Sequence, residues 1–568
     1  MIENLSLAEL VAQMVVVRAS GYLFDHQIRY PEWEPPASKL RYWLENLGVG
    51  GVILVGGSAA ELAVRSQLLQ SWAKIPLLLA ADIEEGVGQR FAGATWFPPP
   101  MAIGAVAQKD GNQAERYAEE MGAITATEAI AIGLNWVLAP VVDVNNNPDN
   151  PVINVRAFAE TPDLVSRLAT AFIHGAQKYP VLTTAKHFPG HGDTAVDSHL
   201  ELPTLPHSAT RLAEVELPPF IEAIAAGVDA VMSAHLIISV WDAEWPATLS
   251  PKILTGKLRQ ELGFEGLIVT DALVMGAIAN QYGSEEAAIL AVAAGADILL
   301  MPQDPEATIK AVCDAVAQGR IERSRIEDSV QRIWQAKAKV GLSIEYTGER
   351  VAKFSPSSPS SPSSPSSPSS PSSPSSPSSP SSPSPLSLLP SSLTVAANIL
   401  RDSLKVGVSV PLRVEAPKNG ENLRNLVIVD DVLGCEFLGH HTPAIAVPKQ
   451  RGYKLQIIDD RTERHKEEQF IISKNTPPHS PEGEFVPTLL QVFIRGNCFR
   501  GSAGLTQAAG DLFKSLLNTG ELQAVVIYGS PYILEQFLPA LPPSIPYVFS
   551  YGQMPVAQEI ALQALFGS

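Results

Sequence analysis

The chain has 568 residues, 45% of them hydrophobic and 18% charged, with a formal net charge of −18. That length asks for at least two domains, and the apolar content is enough for large cores. The acidic balance argues against a nucleic-acid or anionic-membrane partner, because phosphates are held by basic surfaces. Cys313, Cys435 and Cys498 are odd in number and far apart, so neither a disulfide framework nor a cysteine metal site is expected. The opening MIENLSLAELVAQMVVVRAS carries Glu3 and Glu9 where a secretory signal would be basic. No apolar run is long enough to span a bilayer. The expectation is a soluble, cytoplasmic monomer.

In chain order, eight short apolar, β-rich runs come first: 14–18, 49–56, 75–82, 134–144, 181–187, 229–235, 266–271 and 296–302. Helical patterns lie between them, such as 114–133 and 166–178. Buried parallel strands read as continuous apolar runs, and eight of them alternating with helices predict a (β/α)₈ TIM-type barrel over 1–350. A doubly wound open sheet is the competing fold. From Ser355 to Pro385 the sequence is almost pure Ser-Ser-Pro repeat, which offers no amide from proline and nothing to a core. It reads as an inert linker that reaches about 100 Å when extended at roughly 3.1 Å per residue. After it, runs at 425–432, 454–460, 488–496, 522–530 and 545–552 alternate with helical stretches 507–518 and 556–567. They predict a smaller α/β layered domain over 390–568, whose docking on the barrel the flexible spacer leaves open. No catalytic constellation stands out in it, and His440-His441 reads as a solvated loop.

The strand ends carry the chemistry. Asp82 closes the third run, Lys186-His187 the fifth, His235 the sixth and Asp271 the seventh. In a barrel every strand C-terminus opens on one face, so these residues converge there. The fifth run leads into KHFPGHGDTAVDSH, Lys186 to His199. A metal site of His187, His191, His199, Asp193 and Asp197 is the weaker reading, because Pro189, Gly190 and Gly192 preclude the helix that would align a His-x-x-x-His pair. Acid/base chemistry is the stronger one. Asp197 and His199 are two apart and lie on one side of an extended loop, where the carboxylate fixes the imidazole tautomer and stabilises the imidazolium.

Asp271 ends GLIVTD just before a helical stretch, so it is either a helix N-cap or, opposite a general acid, a nucleophile. His235 is equally a satisfied core histidine or a site residue. Asp82 and Arg90 in AADIEEGVGQRF suit sugar hydroxyls. DVNNNPDNPVINVRAF, residues 143–158, reads mostly as turn chemistry, with Arg156 the exception.

KHFPGHGDT followed by DSH, together with VTDAL, NPVINVRAF, PATLS and AGADILLMP, resembles the bacterial β-N-acetylglucosaminidase branch of glycoside hydrolase family 3. The resemblance implies that Asp271 is the nucleophile and His199 the acid/base assisted by Asp197. It implies that Asp82, Arg90, Arg156, Lys186 and His187 hold N-acetylglucosamine, that no cofactor or metal is needed, and that muropeptides from peptidoglycan turnover are the natural substrate. Where many members of that branch read EGGRVQR, this chain has EEGVGQR, Glu84 to Arg90. A β-N-acetylglucosaminide phosphorylase and a non-catalytic glycan-binding barrel remain as alternatives.

Overall fold

The structure is a computed structural model that describes residues 5–195, 202–342, 390–408, 410–412, 422–429, 435, 437–459, 485–495 and 503–567. The Ser-Pro linker lies outside these residues. The first body is built on β1 (Val15–Ser20), β2 (Gly51–Val55), β3 (Leu78–Ala81), β4 (Trp136–Val137) and β5 (Thr184–Phe188). It continues through β6 (Thr204–Leu205), β7 (Ala230–Ser233), β8 (Ile237–Ile238), β9 (Leu267–Val269) and β10 (Leu299–Leu300).

All eight predicted runs form strands. The parallel orders β10-β1-β2-β3-β4 and β5-β7-β9 are joined at both seams by parallel bridges, Trp136 to Leu182 and Val141 to Lys186 on one side and Val269 to Ile298 on the other. That closes the eight strands into a barrel and disposes of the open sheet. The small pair β6–β8 lies beside the barrel ladder and was not legible in the sequence. The barrel strands are buried almost throughout, which is why they read as unbroken apolar runs. The 134–144 run gives only Trp136–Val137 as regular strand, since Pro140 has no amide to donate to a ladder. Helices Gly111–Ala131 and Pro162–Ala176, close to the predicted ones, pack against each other outside it.

The second sheet contains β11 (Lys405–Val406), β12 (Leu423–Val429), β13 (Tyr453–Asp459), β14 (Thr488–Ile494), β15 (Leu522–Gly529) and β16 (Tyr547–Ser550). Its order is β11-β16-β15-β14-β12-β13, parallel except for the β11 edge. This is a doubly wound arrangement whose direction of winding switches between β12 and β14.

The sequence offered no tie between the two bodies beyond a spacer. The structure seats one on the other. Helix Pro390–Ser403 packs on barrel helices Pro100–Ala107 and Gly111–Ala131. Tyr117 Oη donates to the Asp402 carboxylate at 2.7 Å, and Lys109 Nζ to the Asp402 carbonyl at 2.8 Å. Tyr532, at the start of the helix after β15, donates to Glu160 at 2.7 Å and accepts from Asn145 Nδ2 at 2.8 Å. Ile399, Tyr532, Ile533 and Phe537 belong to the same apolar cluster as the barrel core.

Candidate active site

β3 and β5 end side by side in function. Lys186 of β5 is fully buried, and its Nζ lies 2.8 Å from Asp82 Oδ1 and 2.6 Å from Glu84 Oε1. Burial pulls the Lys186 pKa down, but the Asp82 and Glu84 charges outweigh it and leave it raised. Glu84 also takes a two-point contact from Arg156, Nε to Oε2 at 2.9 Å and Nη2 to Oε1 at 2.8 Å. Burial raises the Glu84 pKa, yet Arg156 and Lys186 overcome it and hold the carboxyl well below its ordinary value. Asp82 keeps 31% of its side chain exposed, so this network stays open at one carboxylate. Arg90 is exposed, and its Nε donates to the Asp82 carbonyl at 3.0 Å, which ties down the backbone of Asp82.

His187 completes the row. Its Nδ1 lies 2.8 Å from Asp143 Oδ2 and its Nε2 3.4 Å from Arg156 Nη2. Arg156 can only donate, so the partners assign the ring proton to Nδ1. Asp143 is completely buried and also accepts the backbone amides of His187 and His191. His191 gives Nδ1 to Thr194 at 2.8 Å. Burial pushes the His191 pKa down to about 4, against the pull of Asp143 and Asp271. It is therefore neutral at physiological pH, and Asp271 lies within electrostatic reach of it. Both imidazoles have ring nitrogens committed to protein partners, which weighs against the five-residue metal set considered from sequence. Gly192 lets this loop through: an added Cβ there would stand 1.8 Å from the Val144 carbonyl.

Asp271 follows β9, is half-buried, and accepts the Ala272 amide at 2.7 Å. The next helix begins only at Gly276, with Met275 as its N-cap. Asp271 therefore caps no helix, and the structural alternative raised from sequence falls. His235 is a satisfied histidine after all: Nδ1 meets Thr248 Oγ1 at 2.8 Å and Nε2 the Ala272 carbonyl at 3.2 Å. Only a protonated Nε2 can serve a carbonyl, so the ring pins the backbone next to Asp271. Asp197 and His199 lie outside the described residues.

At the stems of that undescribed segment, His207 Nε2 meets Asp193 Oδ2 at 2.8 Å, and Arg211 reaches Asp193 and Glu216 at 3.3 Å each. Asp193, His207 and Glu216 bring ligand atoms within 4.8 Å of one another, with the single Arg211 guanidinium 3.3 Å from each carboxylate.

Four residues were missed from sequence. Asp143 had a signal, since it ends an apolar run as Asp82 and Asp271 do. Glu84 and Glu85 looked like an ordinary acidic turn. Arg495 belongs to the second sheet, and nothing in the sequence assigned it to the barrel. Yet its guanidinium makes a two-point pair with Glu85, through Nη2 to Oε1 and Nη1 to Oε2, the latter at 3.3 Å.

This arrangement has relatives. Residues 6–336 match the glycosyl hydrolase family 3 N-terminal domain, and residues 416–567 the bacterial glycosyl hydrolase family 3 C-terminal domain. Beta-hexosaminidase A of Pseudoalteromonas piscicida is 35% identical over 337 residues, 54% of this chain and 56% of that protein. The chain thus spans little more than half the length of that relative. A beta-hexosaminidase of Tolumonas auensis is 40% identical over 256 residues, covering 44% of this chain and 75% of its own. The solved glycoside hydrolase family 3 beta-N-acetylglucosaminidase of Paenibacillus sp. str. FPU-7 superposes with a TM-score of 0.73 at 28% identity, over 99% of this chain and 97% of that one. With more than half of its residues matched to the N-terminal domain and its second sheet to the C-terminal one, the chain belongs to glycosyl hydrolase family 3.

Proposed function

We propose that the chain is a retaining, exo-acting β-N-acetylglucosaminidase that removes terminal β-linked N-acetylglucosamine. One observation carries this reading: the buried network of Lys186, Glu84, Arg156 and His187 ends in a half-open Asp82, on the strand-end face that also carries Asp271. A fixed carboxylate backed by a lysine suits paired hydrogen bonds from sugar hydroxyls. The names of the relatives, beta-hexosaminidase and beta-N-acetylglucosaminidase, support the same donor sugar.

In this reading the Asp271 carboxylate attacks the anomeric carbon while the bond to the aglycone oxygen breaks. His199, as imidazolium, gives that oxygen its proton, and Asp197 stabilises the charged ring. His199, now neutral, takes a proton from water as the water attacks the glycosyl-enzyme. N-acetylglucosamine leaves and Asp271 is a free carboxylate again. Asp82, Arg90, Arg156, Lys186 and His187 hold or frame the sugar. Barrel (1–350) and second domain (390–568), joined by an inert linker (355–385), form the working unit, with muropeptides in the cytoplasm as the natural substrate and no cofactor.

The test is turnover of an aryl N-acetyl-β-glucosaminide set beside the aryl β-glucoside, each with and without phosphate. Preference for the first, unchanged by phosphate, supports the reading. Sugar-1-phosphate as product makes the protein a phosphorylase, and no turnover makes it a binding protein. NMR of the first-formed product must show the β anomer; an initial α product rules out double displacement.

A further inference from the structure

Arg495 follows β14 directly, at the C-terminal edge of the second sheet and beside the point where its winding switches. Doubly wound sheets use that crevice to bind ligands. Here it holds a carboxylate of the barrel. Glu85 is completely buried and takes both the Arg495 pair and a hydrogen bond from Trp96 Nε1 at 2.9 Å.

The need for that cation follows from the charges around it. Asp82, Glu84, Glu85 and Asp143 are four carboxylates, and among the described residues the barrel's permanent cations in ion pairs with them are Lys186 and Arg156. Arg495 is the third. The field of Glu84 also acts on it, so it belongs to the same lattice. Glu85 is held within a tight path as well. Its amide donates to Gln89 Oε1 at 3.0 Å, its carbonyl accepts from Phe97 at 2.8 Å, and Gly86 follows at φ +81 with the Thr95 carbonyl 2.7 Å from where a Cβ would be. A displaced Glu85 therefore drags Glu84, and with it the partners of Lys186 and Arg156.

We propose that Arg495 is a positioning residue for the sugar site: by neutralising Glu85, the second domain holds the 82–86 segment in its binding geometry. This rests on the reading of the Asp82 network as a sugar site. Arg495 touches neither the reacting atoms nor the sugar. It acts through Glu85, and by linkage sugar binding must in turn strengthen the seating of the second domain.

The experiment uses the full chain with Arg495→Met, Glu85→Gln and the double variant. Turnover of the aryl glycoside, calorimetric affinity for N-acetylglucosamine and the melting temperature are read for each. Arg495→Met leaves a buried carboxylate without its partner and should raise KM and the sugar Kd by roughly tenfold or more, with kcat changed less. Replacing Glu85 as well removes the orphaned charge, so the double variant should recover most of the loss, a coupling that a double-mutant cycle isolates. Unchanged KM and Kd in Arg495→Met would overturn the proposal. So would equal defects in the single and double variants, which would assign Arg495 to domain seating alone. If the wild type binds sugar but hydrolyses no glycoside, the glycosidase reading fails and Arg495 is judged on Kd. If the wild type binds no sugar, both fall.

Discussion

At the N-terminal ends of the barrel strands, Asp297 is as deeply buried as Asp143 and Glu84 are at the C-terminal ends. It precedes β10 and takes Arg259 at 2.7 Å, Arg325 and Arg332 at 3.2 Å each, Ser329 at 2.7 Å and the Ile268 amide at 3.0 Å. Asp229 and Gln13, before β7 and β1, are likewise consumed by Thr183 and Lys339, and by Lys337. Each of these three acceptors is closed by at least one partner from the surrounding helices. At the other end the partners come from neighbouring strand ends, and Asp82 and Asp271 stay half-buried. The same residue types thus make a clamp at one end and a partly open row of carboxylates at the other. Burial alone does not distinguish them; the end of the strand does.

The largest expected contrast is between Asp271→Ala and Asp297→Ala. The first should cut kcat on the order of 10⁴-fold or more while sugar binding and melting temperature hold, as for loss of a nucleophile. A fluorosugar that traps the glycosyl-enzyme should label Asp271 and no other carboxylate. The second removes the buried carboxylate that three half-buried guanidinia, Ser329 and the Ile268 amide share, and should cost about 3–5 kcal/mol of stability. Activity per folded molecule should persist. Denaturant titration beside turnover separates the two, and a stable but inactive Asp297→Ala would break the comparison.

Next comes the proposed acid. His199→Ala should lose roughly 10²–10⁴-fold, least with a dinitrophenolate leaving group that needs no proton. The rate should be bell-shaped in pH. His191 is pushed down to about 4 by burial, so it cannot supply the basic limb, which falls to the His199–Asp197 pair. Asp197→Ala should move that limb to lower pH. Equal losses with good and poor leaving groups would remove His199 from the glycosylation step.

His191 itself gives a smaller effect on stability. Its folded pKa of about 4 lies below the ordinary 6.5. As pH falls through that window the unfolded chain takes up a proton and the native one does not, so stability drops, by up to about 3 kcal/mol. Below pH 4 this contribution stops changing. His191→Gln should flatten the unfolding free energy between pH 6.5 and 4; an unaltered slope would mean that other groups set it.

How much of this was legible follows from where the signals lie along the chain. The barrel was readable because a buried parallel strand is written in consecutive apolar letters, as in VVVRAS and LIV. Asp82, Lys186, His187 and Asp271 were readable because each stands at the end of such a run. Asp143 does too, but the asparagine-rich stretch after it drew the reading toward turns. Glu85 and Arg495 were invisible for a different reason. Each reads as an ordinary charged residue in its own segment, and only the docking of two separately encoded sheets turns them into a pair with Glu85 buried. The 82–86 turn and the end of β14 are four hundred residues apart in order of magnitude, and no local pattern spans that distance.

The smallest effect on activity belongs to the closed end. Lys337 Nζ is completely buried against Gln13 Oε1 at 2.7 Å, and burial pushes its pKa down to about 7 from an ordinary 10.5. Between pH 10.5 and 7 the unfolded chain holds a proton that the native one does not, so stability falls as pH is lowered through that window. Below pH 7 both states are protonated and the penalty is complete. Lys337→Met removes it and leaves Gln13 Oε1 without a donor, which costs about 1–3 kcal/mol at any pH. At pH 6 the lost penalty is the larger quantity and the variant should melt higher than the wild type. Above pH 10.5 the penalty has gone, only the orphaned Gln13 counts, and the variant should melt lower. Activity should be unaffected at both, since Lys337 lies at the end of the barrel opposite Asp82 and Asp271. A melting-temperature difference of one sign across the whole range would show that Lys337 stays charged in the folded protein.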